Sequence, residues 1–441
     1  MCRHQRSIAQ PVKSRTLANL QTISFLGILF SMGLCFSASV KAAKNEPIWS
    51  DDGGWDDLTN FSTIQAVGVS DDLYLLARGN AGMTTLRYKS ITDSWMPVAT
   101  NNPKWSDANG WDDLSNYSTI QAVGVSNELY LLARSNFGVI TRHYDKSTDR
   151  WKNLAGNDLP WSNTDDWNKL SNYSTIQALG VGNDLYLLGR SKSGMNTLRY
   201  DKKSDKWDEV ASNDPAWSDS SGWDDLSNSD TIQAVSAGQD MYLIARANSG
   251  IISLRFNREA DLWEPIASNN PSWSDKNGWS DLSNYSTIQA VESDGQLYLL
   301  ARGNSGMITL KYSATSDSWE TLSPNYPRWS DKSGWSDFTN YSTIQAVSAG
   351  DDMYLLARTN YGITTRRLNK EANRWESIAS NDPTWSDAAG WNEFSKYSTI
   401  QAVASTGKLF LFARDQHGMI TMSYDPADDE WVTTSKVETK R

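Results

Sequence analysis

Three features of the 441-residue sequence predict an all-β chain folded as a single seven-bladed β-propeller, with four antiparallel strands per blade. The segment "WSDANGWDDLSNYSTIQAV" at Trp105 has close copies at Trp49, Trp161, Trp217, Trp273, Trp329 and Trp385, always 56 residues apart. Each copy leads into the same succession of strand-like segments. The end copies also match the middle ones: "LYLLAR" at Leu73 returns as "LFLFAR" at Leu409. A fixed period of this length marks a solenoid, a propeller or an array. An open stack would need atypical, polar end repeats. A ring needs none, so the ring closes.

The chain begins with a different kind of segment. Residues 1–43 carry no Asp or Glu, the basic residues Arg3, Arg6, Lys13, Arg15 and Lys41, and the apolar run Ile23–Cys35, followed by small residues at Ala42 and Ala43. This order reads as a secretory signal. No run approaches the roughly 18–20 apolar residues of a membrane span. The expectation is a protein secreted to the extracellular space or periplasm, with 44–441 as the propeller. Both cysteines, Cys2 and Cys35, fall in the signal, so the propeller must be held by packing without disulfides. Removing the five positive charges takes the formal net charge from −11 to −16, which excludes nucleic acid as a partner.

Within one unit the strand segments follow in order: Thr63–Val69, Leu73–Arg78, Met83–Tyr88 and Ser94–Ala99. Asp71/Asp72, Asn80–Gly82 and Thr92/Asp93 supply turns of the residue types turns favour. Four antiparallel strands per repeat make one propeller blade. "TIQAV" is expected innermost, at the channel, with its Gln bonding there. Gly82 and its copies are expected to need a positive φ. The remaining stretch, carrying the W-S-D motif, is expected to be loop, with essentially no helix. Residues 45–62 place one such loop ahead of the first blade, so every blade junction receives one.

The W-S-D loop and the b–c turn emerge on the same face of a blade. That face gathers two Trp, usually a Tyr, two carboxylates, an Asn and an Arg at each junction. Aromatic faces offer flat apolar area with polar groups at the rim, which suits the C–H face of a sugar while Asp, Asn or Arg bond its hydroxyls. The candidate sugar-binding tryptophans are Trp49, Trp105, Trp161, Trp217, Trp273, Trp329 and Trp385, with Trp55, Trp111, Trp167, Trp223, Trp279, Trp335 and Trp391. One of these two series could instead plug the junction. The candidate tyrosines are Tyr117, Tyr173, Tyr285, Tyr341 and Tyr397, and the candidate arginines Arg78, Arg134, Arg190, Arg246, Arg302, Arg358 and Arg414. For the arginines the competing role is an ion pair to a loop Asp such as Asp51. The Trp95 series, inside the outer strand, is expected to pack between blades.

The units are not identical. Unit three has Asn163, Asp166, Lys169 and Lys192 where others have Asp, Gly, Asp and Asn; unit four has Ser229–Asp230 for Tyr–Ser; unit seven has Lys396 and Gln416. These changes point to junctions whose site is lost or altered. No catalytic centre is expected, because the carboxylates repeat around the ring and none is singled out as a glycosidase pair would be. "SDDGGW" approaches the sialidase Asp-box, but Asp51 follows Ser50 directly. Asp51, Asp52 and Asp57 are oxygen donors of the kind calcium takes, yet the units keep no strict ligand pattern, so no cofactor is expected. Asn60, Asn116, Asn172, Asn284 and Asn340 head N-glycosylation triplets; glycans there would crowd the binding face, which favours a bacterial source.

The tandem W-S-D-x-x-G-W motif with "STIQA" and "LYLLAR" resembles the Photorhabdus-type seven-bladed propeller lectins, and secondarily the propeller lectins of fungi. The resemblance spans the whole chain after the signal. It implies a multivalent lectin that binds fucose and related sugars, O-methylated ones included, between adjacent blades. The partners would be fucosylated or methylated glycans, with homo-oligomerisation left open. A scaffold that binds a protein on the same aromatic face is the alternative reading.

Overall fold

The computed structural model describes residues 47–162 and 167–434; the expected export signal at 1–43 lies outside them. In the first blade β1 (Gln65–Val69), β2 (Asp72–Gly79), β3 (Gly82–Lys89) and β4 (Ser94–Val98) form an antiparallel meander. Six more four-stranded sheets of the same order follow, each continuous in sequence. The seven-bladed propeller is the fold.

β2 is buried from Leu73 to Arg78 with no in–out alternation, because both its faces meet a neighbouring blade. The apolar core is accordingly divided into seven layers, one per junction. Val69, Tyr74, Leu76 and Met83 of blade one join Trp105, Trp111, Leu129, Leu131 and Trp151 of blade two. Phe410, Phe412 and Met419 of blade seven join Trp49, Trp55 and Leu75 of blade one. The Trp95 series crosses each layer as expected. Trp95 Nε1 donates to Thr421 Oγ1 (3.1 Å), Trp263 Nε1 to Thr197 Oγ1 (3.0 Å) and Trp375 Nε1 to Thr309 Oγ1 (2.9 Å), each on the preceding blade.

The "TIQA" segment divides its labour. Thr63 and Ile64 precede the strand; Thr63 Oγ1 donates to Asn60 O (2.8 Å) and accepts from Arg78 N (2.9 Å), tying β2 to the loop. The glutamines bond across blades. Gln65 Nε2 donates to Ile120 O, and its Oε1 accepts from Ala122 N (2.8 Å). The side-chain amide thereby stands in for a peptide group between inner strands that are splayed too far apart for a backbone ladder. Gln121, Gln177, Gln233, Gln289 and Gln345 repeat both bonds to the next blade. Gln401 closes the circle on Ile64 O and Ala66 N.

Gly82 is needed where it stands. Its φ is +123°, and a Cβ would lie 2.6 Å from Pro103 O, the carbonyl that accepts from Met83 N. Asp93 and its copies take φ near +50° in the outer turn, a conformation Asp tolerates. The W-S-D segment corrects one expectation, that of a helix-free loop. It contains a 3-10 turn (Asp51–Gly53) and a one-turn helix, α1 (Leu58–Phe61), repeated as Leu114–Tyr117 and onward to Phe394–Tyr397. The Asp57 side chain caps α1 by accepting from Thr59 N (2.9 Å), the usual service of an N-cap Asp. Four residues are too few for helical periodicity to appear in a sequence.

Two measurements follow from this frame. Gln233→Ala orphans Ile288 O and Ala290 N; unfolding in urea should show a loss of about 2–4 kcal/mol, the cost of two unpaired backbone groups. An unchanged midpoint would refute the strut role. The second concerns Asp382, which accepts from Thr365 Oγ1 (2.6 Å), Thr365 N (3.1 Å) and Trp431 Nε1 (3.2 Å). Burial pushes its carboxyl up to about 6. A carboxyl whose pKa rises on folding holds its proton more tightly when folded, so stability is lost as pH climbs from about 4 towards that value. Blades one and four of the chain use Asn102 and Asn270 at this position. Asp382→Asn should therefore raise stability at pH 7 by about 1–2 kcal/mol and flatten the pH profile of the melting temperature between 4 and 6.

Candidate ligand-binding rim

Each junction is built around one buried arginine. Arg302 shows the pattern in full. Its backbone N donates to Thr287 Oγ1 (2.9 Å), and Nη1 donates to Ser283 O (3.1 Å), Ser283 Oγ (2.7 Å) and Asn284 Oδ1 (3.0 Å). Nη2 donates to Trp335 O (3.0 Å) on the next unit's loop and pairs with Asp331 of that loop. A planar fork with fixed donors is what this arrangement requires. The same pairing joins Arg78 to Asp107, Arg190 to Asp219, Arg246 to Asp275, Arg358 to Asp387 and Arg414 to Asp51. Arg134 is equally buried and donates to Trp161 O (3.0 Å) and Asn116 Oδ1 (3.2 Å). The loop position that would pair with it is Asn163 in the sequence, outside the described residues, as is Asp166.

The arginines are thus clamps between blades, and the ion-pair role is the one the geometry displays. Burial lowers the guanidinium pKa of Arg78, Arg302 and Arg358, while Asp57, Asp281 and Asp337 at the helix caps oppose the shift. Every one of these residues is without exposed surface, so none offers its fork to a ligand as the structure stands.

The two loop tryptophan series also lie inward. Trp49 stacks on Trp55 with ring centroids 4.7 Å apart and 21° between planes, and the pairs beginning at Trp105, Trp217, Trp273, Trp329 and Trp385 repeat this closely. The pair Trp161–Trp167 is tighter, at 4.4 Å and 9°, where Gly189 stands in the place of Ala77 and a Cβ would press on both rings. All fourteen are buried in the junction layers. Both series plug the junction, and their stacked faces are occupied by each other.

The asparagines of the glycosylation triplets are buried too. Asn60 Nδ2 donates to Asn80 Oδ1 (2.7 Å), joining the W-S-D segment to the b–c turn, and Asn60 Oδ1 accepts from Arg78 Nη1 (3.0 Å). The convergence of these two segments on one face is as the strand order requires.

Phe61 and Ser229 take one position at two of the seven junctions; Tyr117, Tyr173, Tyr285, Tyr341 and Tyr397 are buried there at the other five. Each sits beside the arginine of the preceding blade: Tyr285 lies 5.9 Å from the Arg246 guanidinium and Tyr341 5.9 Å from that of Arg302. Burial, and then Asp57 on the preceding helix, push the Tyr117 phenol above its ordinary value; Asp113 and Asp281 do the same to Tyr173 and Tyr341. These phenols stay protonated at neutral pH.

The surface holds residues that sequence reasoning passed over. Leu58, Leu114, Leu170, Leu226, Leu282, Phe338 and Phe394, the first residue of each one-turn helix, are 41–48% exposed. Phe338 reaches Tyr397 of the next unit (6.2 Å) and Phe394 reaches Phe61 (5.8 Å). Beside each is a cap residue, Asp57, Asp113, Lys169, Asp225, Asp281, Asp337 or Glu393. Their mark in the sequence is a "DL" or "DF" pair in five units, "KL" in unit three and "EF" in unit seven. Among the described residues no group of three or more His, Cys, Asp or Glu side chains is arranged to hold a metal ion.

No protein-family model matches the chain, and no curated protein matches its sequence. Solved structures that resemble it are propellers. They include the β-propeller domain of the Trilobed protease from Pyrococcus furiosus, 8% identical with TM-score 0.47 over 86% of this chain and 97% of that one. The Niastella koreensis GH74 enzyme is 12% identical with TM-score 0.47, over 90% of this chain and 55% of its own. Puromycin hydrolase is 10% identical with TM-score 0.49, over 90% of this chain and 57% of its own. These likenesses carry nothing about activity.

The clamp can be tested directly. Arg302→Lys keeps the charge and loses the fork, leaving several of the acceptors on Ser283, Asn284, Trp335 and Asp331 unmatched. Urea unfolding should show about 1–3 kcal/mol of destabilisation, in the range for buried polar groups left without partners. Equal stability would mean that the arginine does not hold the junction.

Proposed function

We propose that this protein is an exported, multivalent lectin that binds fucose or related sugars, O-methylated ones included, on the rim of its blade junctions. One observation carries the reading: a half-exposed Leu or Phe recurs at all seven units, beside a carboxylate in six of them and with a buried tyrosine at the same position in five, above a buried network. A sugar pyranose has an apolar C–H face for Leu114 or Phe338 and hydroxyls that can bond Asp113 or Asp337. The buried tryptophan pairs and arginines hold those groups in register, which is the preorganisation a weak site requires. Likeness of the W-S-D repeat to the Photorhabdus-type lectins supports the same choice.

A protein-binding scaffold is the second reading, favoured by the ring of half-exposed Leu and Phe. The two separate on a glycan array. Hits confined to fucosylated or methylated glycans support the lectin, whereas a blank array with intact protein rejects it.

Valency gives the quantitative test. A shallow monosaccharide site with two or three solvent-exposed hydrogen bonds should bind free fucose with Kd on the order of 0.1–1 mM. Engagement of several junctions on a fucosyl surface should tighten apparent binding by roughly 10²–10⁴. Replacing Leu58, Leu114 and Leu282 by Ser, one after another, should weaken surface binding in steps with little change in melting temperature, because these side chains are already half exposed. Loss of all binding on a single replacement would contradict the multivalent reading.

A further inference from the structure

The turns from the first to the second strand and from the third to the fourth lie at the end of each blade away from the W-S-D segment. Six of the seven junctions carry there a tyrosine of the second strand and a basic residue of the third. Between blades one and two, the Asp72 carboxylate accepts from Tyr74 OH (3.2 Å), pairs with Lys146 Nζ (2.8 Å) and lies 4.0 Å from Arg87 Nε. Between blades two and three, Glu128 accepts from Tyr130 OH (2.7 Å), pairs with Lys202 Nζ (2.5 Å) and faces His143. Long polar side chains fill these junctions and neutralise one another.

The closing junction, between blades seven and one, has none of that set. Lys408 stands in the place of Asp72, Phe410 in that of Tyr74, Ser423 in that of Arg87 and Ser90 in that of Lys146. All four substituted residues line a cavity of about 240 Å³. Leu73 and Tyr88 of blade one complete its apolar side, and the Tyr88 and Phe410 rings meet edge to face with centroids 6.0 Å apart. Ser405, also in the lining, ties the two blades by donating from Oγ to Asp72 O (3.1 Å). Lys408 and Asp71 face the same cavity and are exposed. Among the described residues neither side chain is in an ion pair, with the other or with a third group.

From this arrangement we infer that the closing junction holds a site for a free α-amino acid with an apolar side chain, one per chain. Lys408 receives the α-carboxylate and Asp71 the α-ammonium, contacts strengthened by charge on both partners. The apolar side chain lies against Leu73, Tyr88 and Phe410, while the Ser90 and Ser423 hydroxyls offer further bonds to the carboxylate. A cavity of about 150 Å³ admits benzene, so the space here takes a phenyl or branched aliphatic side chain with its α-carbon groups. A lone carboxylate would meet Asp71 and a lone amine would meet Lys408; the zwitterion satisfies both. The bound molecule touches both blades, so its occupancy also holds the ring shut. This site lies on the face away from the rim and does not depend on the lectin reading.

The test uses the full-length protein, with L-phenylalanine, phenylpropionate, phenethylamine and glycine as probes in calorimetric titration. Phenylalanine should bind at one site per chain, at least about tenfold tighter than the other three, which lack the ammonium, the carboxylate and the side chain respectively. Because the ligand binds the closed ring, saturating phenylalanine should also raise the melting temperature. Ser423→Arg restores the residue of units one, three, four and six, fills the cavity and should abolish both effects. Lys408→Asp should weaken phenylalanine at least about tenfold. Absence of saturable phenylalanine binding, phenylpropionate or phenethylamine binding as tightly, or a melting temperature unmoved at saturation would each overturn the inference. So would a folded Ser423→Arg protein that still binds. The probe series on the unaltered protein decides the matter even where a variant fails to fold.

Discussion

A primary amide that behaves as a detached peptide bond sets the geometry of this molecule. Inner strands of a propeller converge on a channel, yet adjacent ones are inclined and cannot share a backbone ladder. Gln65 and its six copies span that gap with one donated and one accepted bond each. No other side chain of that length offers both a donor and an acceptor in a plane; Glu lacks the donor. The identity of "TIQA" in all seven units is the consequence. Thr63 fixes the arginine strand to the loop, Ile64 fills the layer beneath, and Gln65 sets the distance to the next blade.

With that spacing fixed, the junction above can be filled in only one manner. A stacked indole pair occupies the wedge between blades, and an arginine stitches the wedge to the neighbouring loop through its carbonyl and its Asp. A buried cation needs such compensation, since its desolvation is expensive unless charge and hydrogen bonds replace water. The conspicuous aromatic and charged residues of the repeat are therefore largely interior. What remains at the surface is modest: a leucine or phenylalanine, a cap residue and the edge of a phenol.

This explains which parts were legible in the sequence. The strands, the turn at Gly82, the outer tryptophan between blades and the loop supplied ahead of blade one were readable because each leaves a periodic mark with one structural meaning. The tryptophan pairs were ambiguous. An indole beside Gly and Asp is equally at home under a sugar or under another indole, and only the 4.7 Å stacking decides between them. Leu58 and its copies left no such mark, because the one-turn helix that lifts them out is too short to show a period. For Arg78 both roles had been visible, and the carboxylate of Asp107 across the junction selects the structural one.

The closing junction uses the same bonds as the others but a much longer tether. Gln65 and Ile120 are 55 residues apart, whereas Gln401 and Ile64 are 337 apart. By the logarithmic cost of loop closure, that difference amounts to about 1.6 kcal/mol of chain entropy. Pro47, Trp49 and Asp51 meet blade seven with the ordinary contacts, Met419 N on Pro47 O (3.0 Å) and Arg414 Nε on Trp49 O (2.7 Å), and among the described residues no strand is exchanged to reinforce them. The ring is thus a bracelet with one clasp made of the same metal as its links. When it opens under heat or denaturant, blades one and seven are the pair that parts first, and the remaining six junctions can persist as an arc.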